Sequence, residues 1–389
     1  MNYLSICCIA KDEHPFIQEW VNYHLMAGAE KIIIYDNESK PPLKKQLQKE
    51  LEENTVVIIP ITGQECQIPA YSHCLQEFGS ISTWIAFIDM DEFIFPKVHD
   101  DLRLILADYE QFGGLGVHWV EYGSSGYVTR PLGSQIDSYI HRFPFKYPKN
   151  MHIKSIVQPR KVEKAFNPHQ FIYKEPWYCV DENHFPLRES WGPFRNRKIQ
   201  INHYYYRSQQ DFYSKLNKGR ADRADEEGRK NQASFMKQLH KAVVKDDSLA
   251  KMVARLKKNQ SLSLKYNDKQ QLTSKILMLI AGGKLDKARE MLKLARVSLQ
   301  DTYLVNYLDY KISLKNEDYQ EAIDHLYALL VKASDIYLYL DLITILIRTG
   351  SNSEAREILD FIKWRYSKTD KKDSALSLRI EQYTRELYS

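Results

Sequence analysis

The stretch Trp84-Ile85-Ala86-Phe87-Ile88-Asp89-Met90-Asp91-Glu92 runs an apolar strand into two carboxylates at i and i+2. In extended chain alternate residues face one side, so both acids can converge on one ligand. Carboxylates held that close repel unless a cation lies between them. Mg²⁺ and Mn²⁺ take hard oxygen ligands and bridge to phosphate oxygens. The pair therefore suits a divalent ion that grips a diphosphate and offsets charge as a leaving group departs. The plainer alternative is a polar turn after a strand, and the pair alone does not decide between them.

The elements that must position these acids can be read from the periodicity. Strands are predicted at Leu4–Ala10, Lys31–Tyr35, Thr55–Ile61 and Trp84–Ile88, with helices at His14–Ala27, Leu43–Glu53 and Ala70–Phe78 between them. This alternation predicts an α/β domain with a doubly wound, mostly parallel, Rossmann-like sheet. Such sheets bind ligands outside the carboxyl ends of their strands. The working edge should then carry Ala10-Lys11-Asp12-Glu13, Asp36-Asn37, Gly63-Gln64 and Asp89-Met90-Asp91. Lys11, Asp12 and Glu13 are placed to contact a base and ribose, and Asp36 to accept the imide N–H of a uracil; Gln67 joins this donor set. Each is weak alone, since Asp-Asn after a strand is a common turn. From Leu115 to Tyr206 short strands mix with aromatic, Pro- and His-rich loops, a texture expected of a substrate-facing half.

Five stretches taken in order, CCIAKDEHPFIQEWVNYHLMAGAEKIIIYDNES, FIDMDEFIFP, HWVEYGSSG, KSIVQP and NHYYYRSQQDFYSKLNKGRA, resemble the glycosyltransferases of the family 92 / family 2-like group. The resemblance spans Leu4 to Ala221 and implies the GT-A fold, a nucleotide-sugar donor, usually a uridine diphosphate sugar, and a divalent cation, Mn²⁺ or Mg²⁺. Anomeric inversion is the usual outcome in the group. By this resemblance Asp89 and Asp91 match the acidic pair, with Asp91 as the direct ligand. His203 matches a late histidine that completes the metal or diphosphate site; a histidine packed among tyrosines is the alternative. Lys154 would face the diphosphate or be a surface lysine. One departure stands out: the first motif commonly reads Lys-Asn-Glu, and here it is Lys11-Asp12-Glu13.

Gly123-Ser124-Ser125-Gly126 is a turn able to approach a sugar closely, with Trp119, Tyr122 and Trp177 offering stacking faces or core packing. It is not a phosphate loop, lacking a following helix and Lys-Ser/Thr. An inverting transfer needs a base for the acceptor hydroxyl. Glu121 and Asp181 are the candidates, with Glu182 beside the latter. A sugar-1-phosphate nucleotidyltransferase would need a Gly-rich loop after the first strand, where Ala10-Lys11-Asp12-Glu13-His14 stands instead. A two-metal nuclease would need a further acidic cluster. An inactive scaffold would be expected to have lost the acidic pair.

Fifty-five basic against 50 acidic residues is too mild a balance for a dedicated nucleic-acid binder. The basic stretch Lys146–Arg223 suits an anionic small molecule, an anionic membrane surface met peripherally, or plain solvation. Five cysteines without metal-like spacing fit a reducing compartment. With no signal peptide or spanning segment read, a cytoplasmic protein is expected. Three domains are predicted: residues 1–222 catalytic, 223–262 a charged helical linker, and 263–389 an all-α tail. In the tail Ala288, Ala322 and Ala355 recur 34 and 33 residues apart, a period resembling tetratricopeptide repeats. The tail would brace the enzyme, bind a protein partner or self-associate. The acceptor expected is a saccharide or glycolipid, in bacterial surface polysaccharide synthesis by family association.

Overall fold

The computed structural model describes residues 2–218, 241–262, 266–299, 302–331, 336–367 and 374–388. The chain divides into two compact units, Met1–Tyr266 and Asn267–Ser389.

The first unit is α/β. In order come β1 (Asn2–Ala10), α1 (Ile17–Met26), β2 (Lys31–Asn37), α2 (Gln48–Glu52), β3 (Val56–Ile61), α3 (Gln67–Phe78), β4 (Ser82–Phe87), β5 (Glu92–Pro96), α4 (Leu102–Leu106), β6 (Gly114–Glu121) and α5 (Gln135–Ser138). There follow β7 (His141–Arg142), β8 (Ile153–Val157), β9 (Val162–Ala165), β10 (Phe171–Tyr173), β11 (Cys179–Val180), β12 (Pro186–Leu187), β13 (Ile199–His203), α6 (Gln209–Lys218), β14 (Val244–Lys245) and α7 (Ser248–Leu262). The main sheet runs β12-β11-β6-β8-β4-β1-β2-β3, with β13 joining β6 to β5. Strands β4, β1, β2 and β3 are mutually parallel, as the alternation predicts. Strand β8 enters antiparallel between β4 and β6, so the sheet is mixed. The connection from β6 to β8, residues 122–152, carries α5 and β7 and returns the chain in the opposite direction.

β1 is buried almost throughout, with α3 packed on it; Cys7 and Cys8 are fully buried there, and all five cysteines are free. Helix α1 buries Ile17, Trp20, Val21 and His24, a stripe at helical spacing. It also grips the strand after the acidic pair: Trp20 Nε1 donates to Glu92 O at 2.8 Å and Tyr23 Oη to Ile94 O at 2.6 Å. The helix expected at Leu43–Glu53 is a 3₁₀ turn at Leu43–Lys45 followed by the short α2.

Of the expected linker, 223–240 lies outside the described residues. Its remainder belongs to the first unit: β14 pairs with β7, Arg142 binds Asp246 at 2.7 Å, and Arg255 Nε of α7 donates to Asp100 at 3.0 Å.

The second unit is all helical: α8 (Tyr266–Ala281), α9 (Leu285–Leu299), α10 (Thr302–Lys315), α11 (Tyr319–Leu330), α12 (Ile336–Arg348), α13 (Asn352–Ser367) and α14 (Ser374–Tyr388). From α9 onward each helix packs on the next. Ala288, Ala322 and Ala355 occupy equivalent first-turn positions of α9, α11 and α13 and are fully buried, the small residue a close helix approach requires. Tyr307, Tyr310 and Tyr337 are buried in this packing. No described helix is long and apolar enough to cross a membrane.

Candidate active site

Three strands bring the acidic end of β4 to its partners. In β13, His203 stands opposite Glu92 of β5 on one side and Glu121 of β6 on the other. Directly opposed residues share a face, so register alone sets a carboxylate, an imidazole and a carboxylate in a row. His203 Nδ1 lies 3.0 Å from Glu121 Oε1, and Nε2 lies 3.7 Å from Asp91 Oδ2. Asn150 Oδ1 accepts the Glu121 backbone N–H at 2.9 Å and steadies the strand end. Glu121 Oε2 and Glu92 Oε1 are buried without a hydrogen-bond partner among the described residues.

A second group forms around Asp89. Its Oδ2 meets Lys154 Nζ of β8 at 2.9 Å, and its Oδ1 accepts from Gln67 Nε2 at 2.8 Å, at the first residue of α3. The Asp89 backbone N–H donates to Glu92 Oε2 at 2.9 Å. Lys154 is fully buried while the Asp89 carboxylate is 35% exposed, so the acid faces outward on a buried cationic base. The sequence-predicted Gln67, Asp89 and Lys154 are thus brought together.

A third group surrounds a cavity of about 210 Å³ lined by Asp12, Glu13, Phe16, Arg130, Tyr205, Arg207, Asp211 and Lys215. Arg207 turns the chain out of β13 at φ +43°, and Asp12 leaves β1 at φ +51°. The Arg207 guanidinium donates to Glu13 Oε2 at 2.7 Å, Met90 O at 3.2 Å and Gln135 Oε1 at 3.2 Å, and lies 3.6 Å over the Phe16 ring. It therefore clamps the acidic-pair loop to the end of β1. Lys215, two turns into α6, bonds Asp91 Oδ2 directly.

The electrostatics follow from burial and pairing. Burial would raise the Asp91 carboxyl, but Lys215 and His203 hold it well below the usual range. Burial would lower His203, yet Glu121 and then Asp91 raise it to about 10. Burial pushes Glu92 up to about 7, with Lys154 opposing and Asp89 adding to the rise. Burial, with Lys154 nearby, drops His169 to about 4. That neutral ring and His152 flank Trp119, at centroid distances of 5.2 and 5.3 Å, and His203 lies 4.3 Å from the same indole.

Several expected residues are used differently. Glu121 lies behind His203, its side chain 1% exposed, so it orients the imidazole and cannot reach an acceptor as the expected base. Asp36 accepts the backbone N–H groups of Ser39 and Leu43 at 3.1 and 3.0 Å; it caps the turn after β2, where a uracil contact was expected. Asp181 accepts from the Asn183 and Phe185 N–H groups at 2.8 and 3.0 Å. Its strand meets β6 at Gly114–Leu115, six residues or about 20 Å of strand from Glu121, which rules it out as the base there. Trp177 stands at that same remote end under Lys161 Nζ at 3.9 Å, away from the expected sugar contact. Gly123, Ser124 and Ser125 do follow β6 at the working edge, but their polar atoms go inward: Ser125 Oγ accepts the His141 N–H at 3.0 Å and Ser124 Oγ the Gly126 N–H at 3.3 Å. The same loop supports α6, whose Gln209 and Gln210 N–H groups donate to Tyr127 O and Val128 O. Ala10 ends β1 buried, and Lys11 is half-buried beside it. Arg207 and Lys215 were missed; their signal was the quoted stretch after His203, in which Asp211 and Lys215 share a helix face at i,i+4.

An open α/β sheet that gathers carboxylates, an imidazole and cationic side chains at its strand ends puts them where sheets of this class bind ligands. The model of glycosyltransferase family 92 matches residues 3–259, and the chain belongs to that family. A family 92 protein of Arabidopsis thaliana is 26% identical over 227 residues, covering 55% of this chain and 37% of that protein. One of Oryza sativa subsp. japonica is 26% identical over 241 residues, covering 58% and 37%. The chain thus spans 37% of the length of each of these relatives. Among solved structures, S. aureus TarS aligns at a TM-score of 0.28 with 12% identity over 82% of this chain and 54% of that one. UDP-glucose pyrophosphorylase complexed with UDP-glucose aligns at 0.24, with 12% identity over 68% of this chain and all of the other. Scores this low leave the fold to be judged on its own sheet order.

Proposed function

We propose that this chain transfers a glycosyl group from a uridine diphosphate sugar to a hydroxyl of a saccharide or glycolipid acceptor, with inversion, using Mn²⁺ or Mg²⁺ held by Asp91 and His203. The observation that carries this reading is the Asp91–His203 pair at 3.7 Å, backed by Glu121 and adjoining the cavity between the β1 end and α6. Two ligands about 2.1 Å from one ion stand about 3 Å apart at right angles and about 4 Å apart when opposed, so the pair fits a cation. His203 Nδ1 is engaged by Glu121, so ligation would use Nε2 and release the proton that Glu121 and Asp91 hold on the ring, giving a carboxylate–histidine–metal arrangement. Among the described residues no three His, Cys, Asp or Glu side chains gather as a metal cage. An ion here would take its remaining ligands from substrate phosphates and water.

When bound, the ion would neutralise charge on the departing diphosphate. The chain's own residues do the rest. Arg207 holds Glu13 and the Met90 carbonyl in place and so fixes the loop carrying Asp91. The outward oxygens of Asp89, seated on Lys154 and Gln67, are suited to accept from sugar hydroxyls. Trp119 packs against the imidazoles of His152, His169 and His203 and so helps to fix the last of these. The helical unit serves as a brace or a partner-binding surface. The acceptor belongs to glycan synthesis, and the two relatives named above are plant proteins.

Thermal-shift measurements with a nucleotide-sugar panel, with and without Mn²⁺, test the donor assignment. Uridine diphosphate sugars should raise the melting temperature only with the ion. Equal stabilisation by guanosine and uridine compounds would remove the donor assignment.

A further inference from the structure

We infer that Lys215 competes with the divalent cation for Asp91 and, once displaced, supplies its positive charge to the diphosphate as it leaves the donor sugar. The inference rests on the metal site proposed above and assigns a role to a residue outside it.

Four features support it. First, the Lys215 ammonium bonds Asp91 Oδ2, the same oxygen that lies 3.7 Å from His203 Nε2. A divalent ion held by this pair would share that oxygen with a second cation, and like charges so close are strongly unfavourable. Second, Lys215 is the partner with room to leave: its side chain is 37% exposed and lines the cavity, whereas Asp91 is 8% exposed. Third, its backbone is anchored while its side chain is long and flexible. The Tyr127 and Val128 carbonyls accept N–H groups at the start of α6, and Arg130 Nε donates to Asp211 at 2.8 Å one turn before Lys215. Fourth, the ammonium keeps an aromatic partner on the cavity side even while it is bonded to Asp91. Lys215 Nζ lies 4.2 Å from the Tyr205 ring centroid, and Tyr205 lines the same cavity; a cation over an aromatic face is favourable. Lys149 Nζ lies 4.8 Å from that ring, adding a second ammonium. The diphosphate of a nucleotide sugar carries two negative charges, which one divalent ion balances, and the departing nucleoside diphosphate gains a third as the glycosyl bond breaks, so the released ammonium meets charge that the ion leaves unbalanced.

The two halves predict effects of opposite sign from one substitution. In Lys215→Gln, Mn²⁺ alone, followed by electron paramagnetic resonance of the free ion, should bind on the order of tenfold tighter than in wild type, because the competing charge-assisted bond is gone. Uridine diphosphate, titrated calorimetrically at saturating Mn²⁺, should bind on the order of tenfold weaker. Lys215→Ala, with the best helix former at a partly exposed helical position, should repeat both effects and replaces the Gln variant if that one is unfolded by circular dichroism. Mn²⁺ affinity that is unchanged or weaker overturns the competition. Unchanged uridine diphosphate affinity overturns the transfer to the diphosphate, and a merely structural lysine would weaken both ligands together. Failure of the underlying metal site looks different: Mn²⁺ would bind wild type and Asp91→Asn alike, or neither, whatever stands at 215.

Discussion

Glu121→Gln tests whether the buried row across β5, β13 and β6 acts as one electrostatic unit. The variant keeps the size of the side chain and an acceptor opposite His203 Nδ1 but removes the charge. Burial works against the imidazolium, and Glu121 and then Asp91 outweigh it, raising His203 from 6.5 to about 10. A rise of that size corresponds to on the order of 5 kcal/mol. Two carboxylates share it, so loss of one should cost about 2 kcal/mol in the metal-free protein near pH 6. The folded value lies above the unfolded one, so the stabilisation is complete below pH 6.5 and is lost as pH climbs through about 10. At the alkaline end wild-type Glu121 is a buried carboxylate facing a neutral ring, an unfavourable state that the neutral glutamine avoids. Urea unfolding in chelator at several pH values, with NMR titration of the His203 ring, reads both effects. The variant should be about 2 kcal/mol less stable near pH 6, the gap should close by the alkaline end, and His203 should titrate lower. A gap that stays constant across the range would refute the charge coupling.

Arg207→Met should cost about 3 kcal/mol, because the Glu13 carboxylate at 2.7 Å loses this cationic partner; adding Glu13→Gln should recover part of the loss in denaturant titration. Ala322→Leu should cost about 1–3 kcal/mol by overpacking the fully buried first turn of α11, and calorimetric scanning should show the loss in the transition of the helical unit.

Residues whose placement depends on strand ends were legible in the sequence. Apolar runs locate β1, β2, β3 and β4, and the rule that ligands sit beyond their carboxyl ends singles out Asp12, Glu13, Asp89 and Asp91 before any coordinates. His203 and Lys154 came from ordered motifs, and pairing of β13 and β8 brings them to those ends. What was hidden depends on geometry that composition does not encode. Asp36 and Asp181 look identical in sequence to ligand-binding acids, yet nearby backbone N–H groups claim them. Trp177 and Asp181 adjoin a strand that meets β6 at its opposite end. Arg207 reaches the site through a left-handed turn, and Lys215 through a helix that returns over Asp91. The antiparallel entry of β8 escapes periodicity, since a short buried strand reads alike in either direction.

The account's central claim is that Asp91 and His203 together hold an ion which in turn holds the nucleotide. Calorimetric titration of uridine diphosphate into wild type, Asp91→Asn and His203→Ala, each with Mn²⁺ and with chelator, tests it most directly. Wild type should bind the nucleotide much more tightly with Mn²⁺, and that gain should vanish in Asp91→Asn and shrink in His203→Ala. An equal Mn²⁺-dependent gain in all three proteins would contradict the claim.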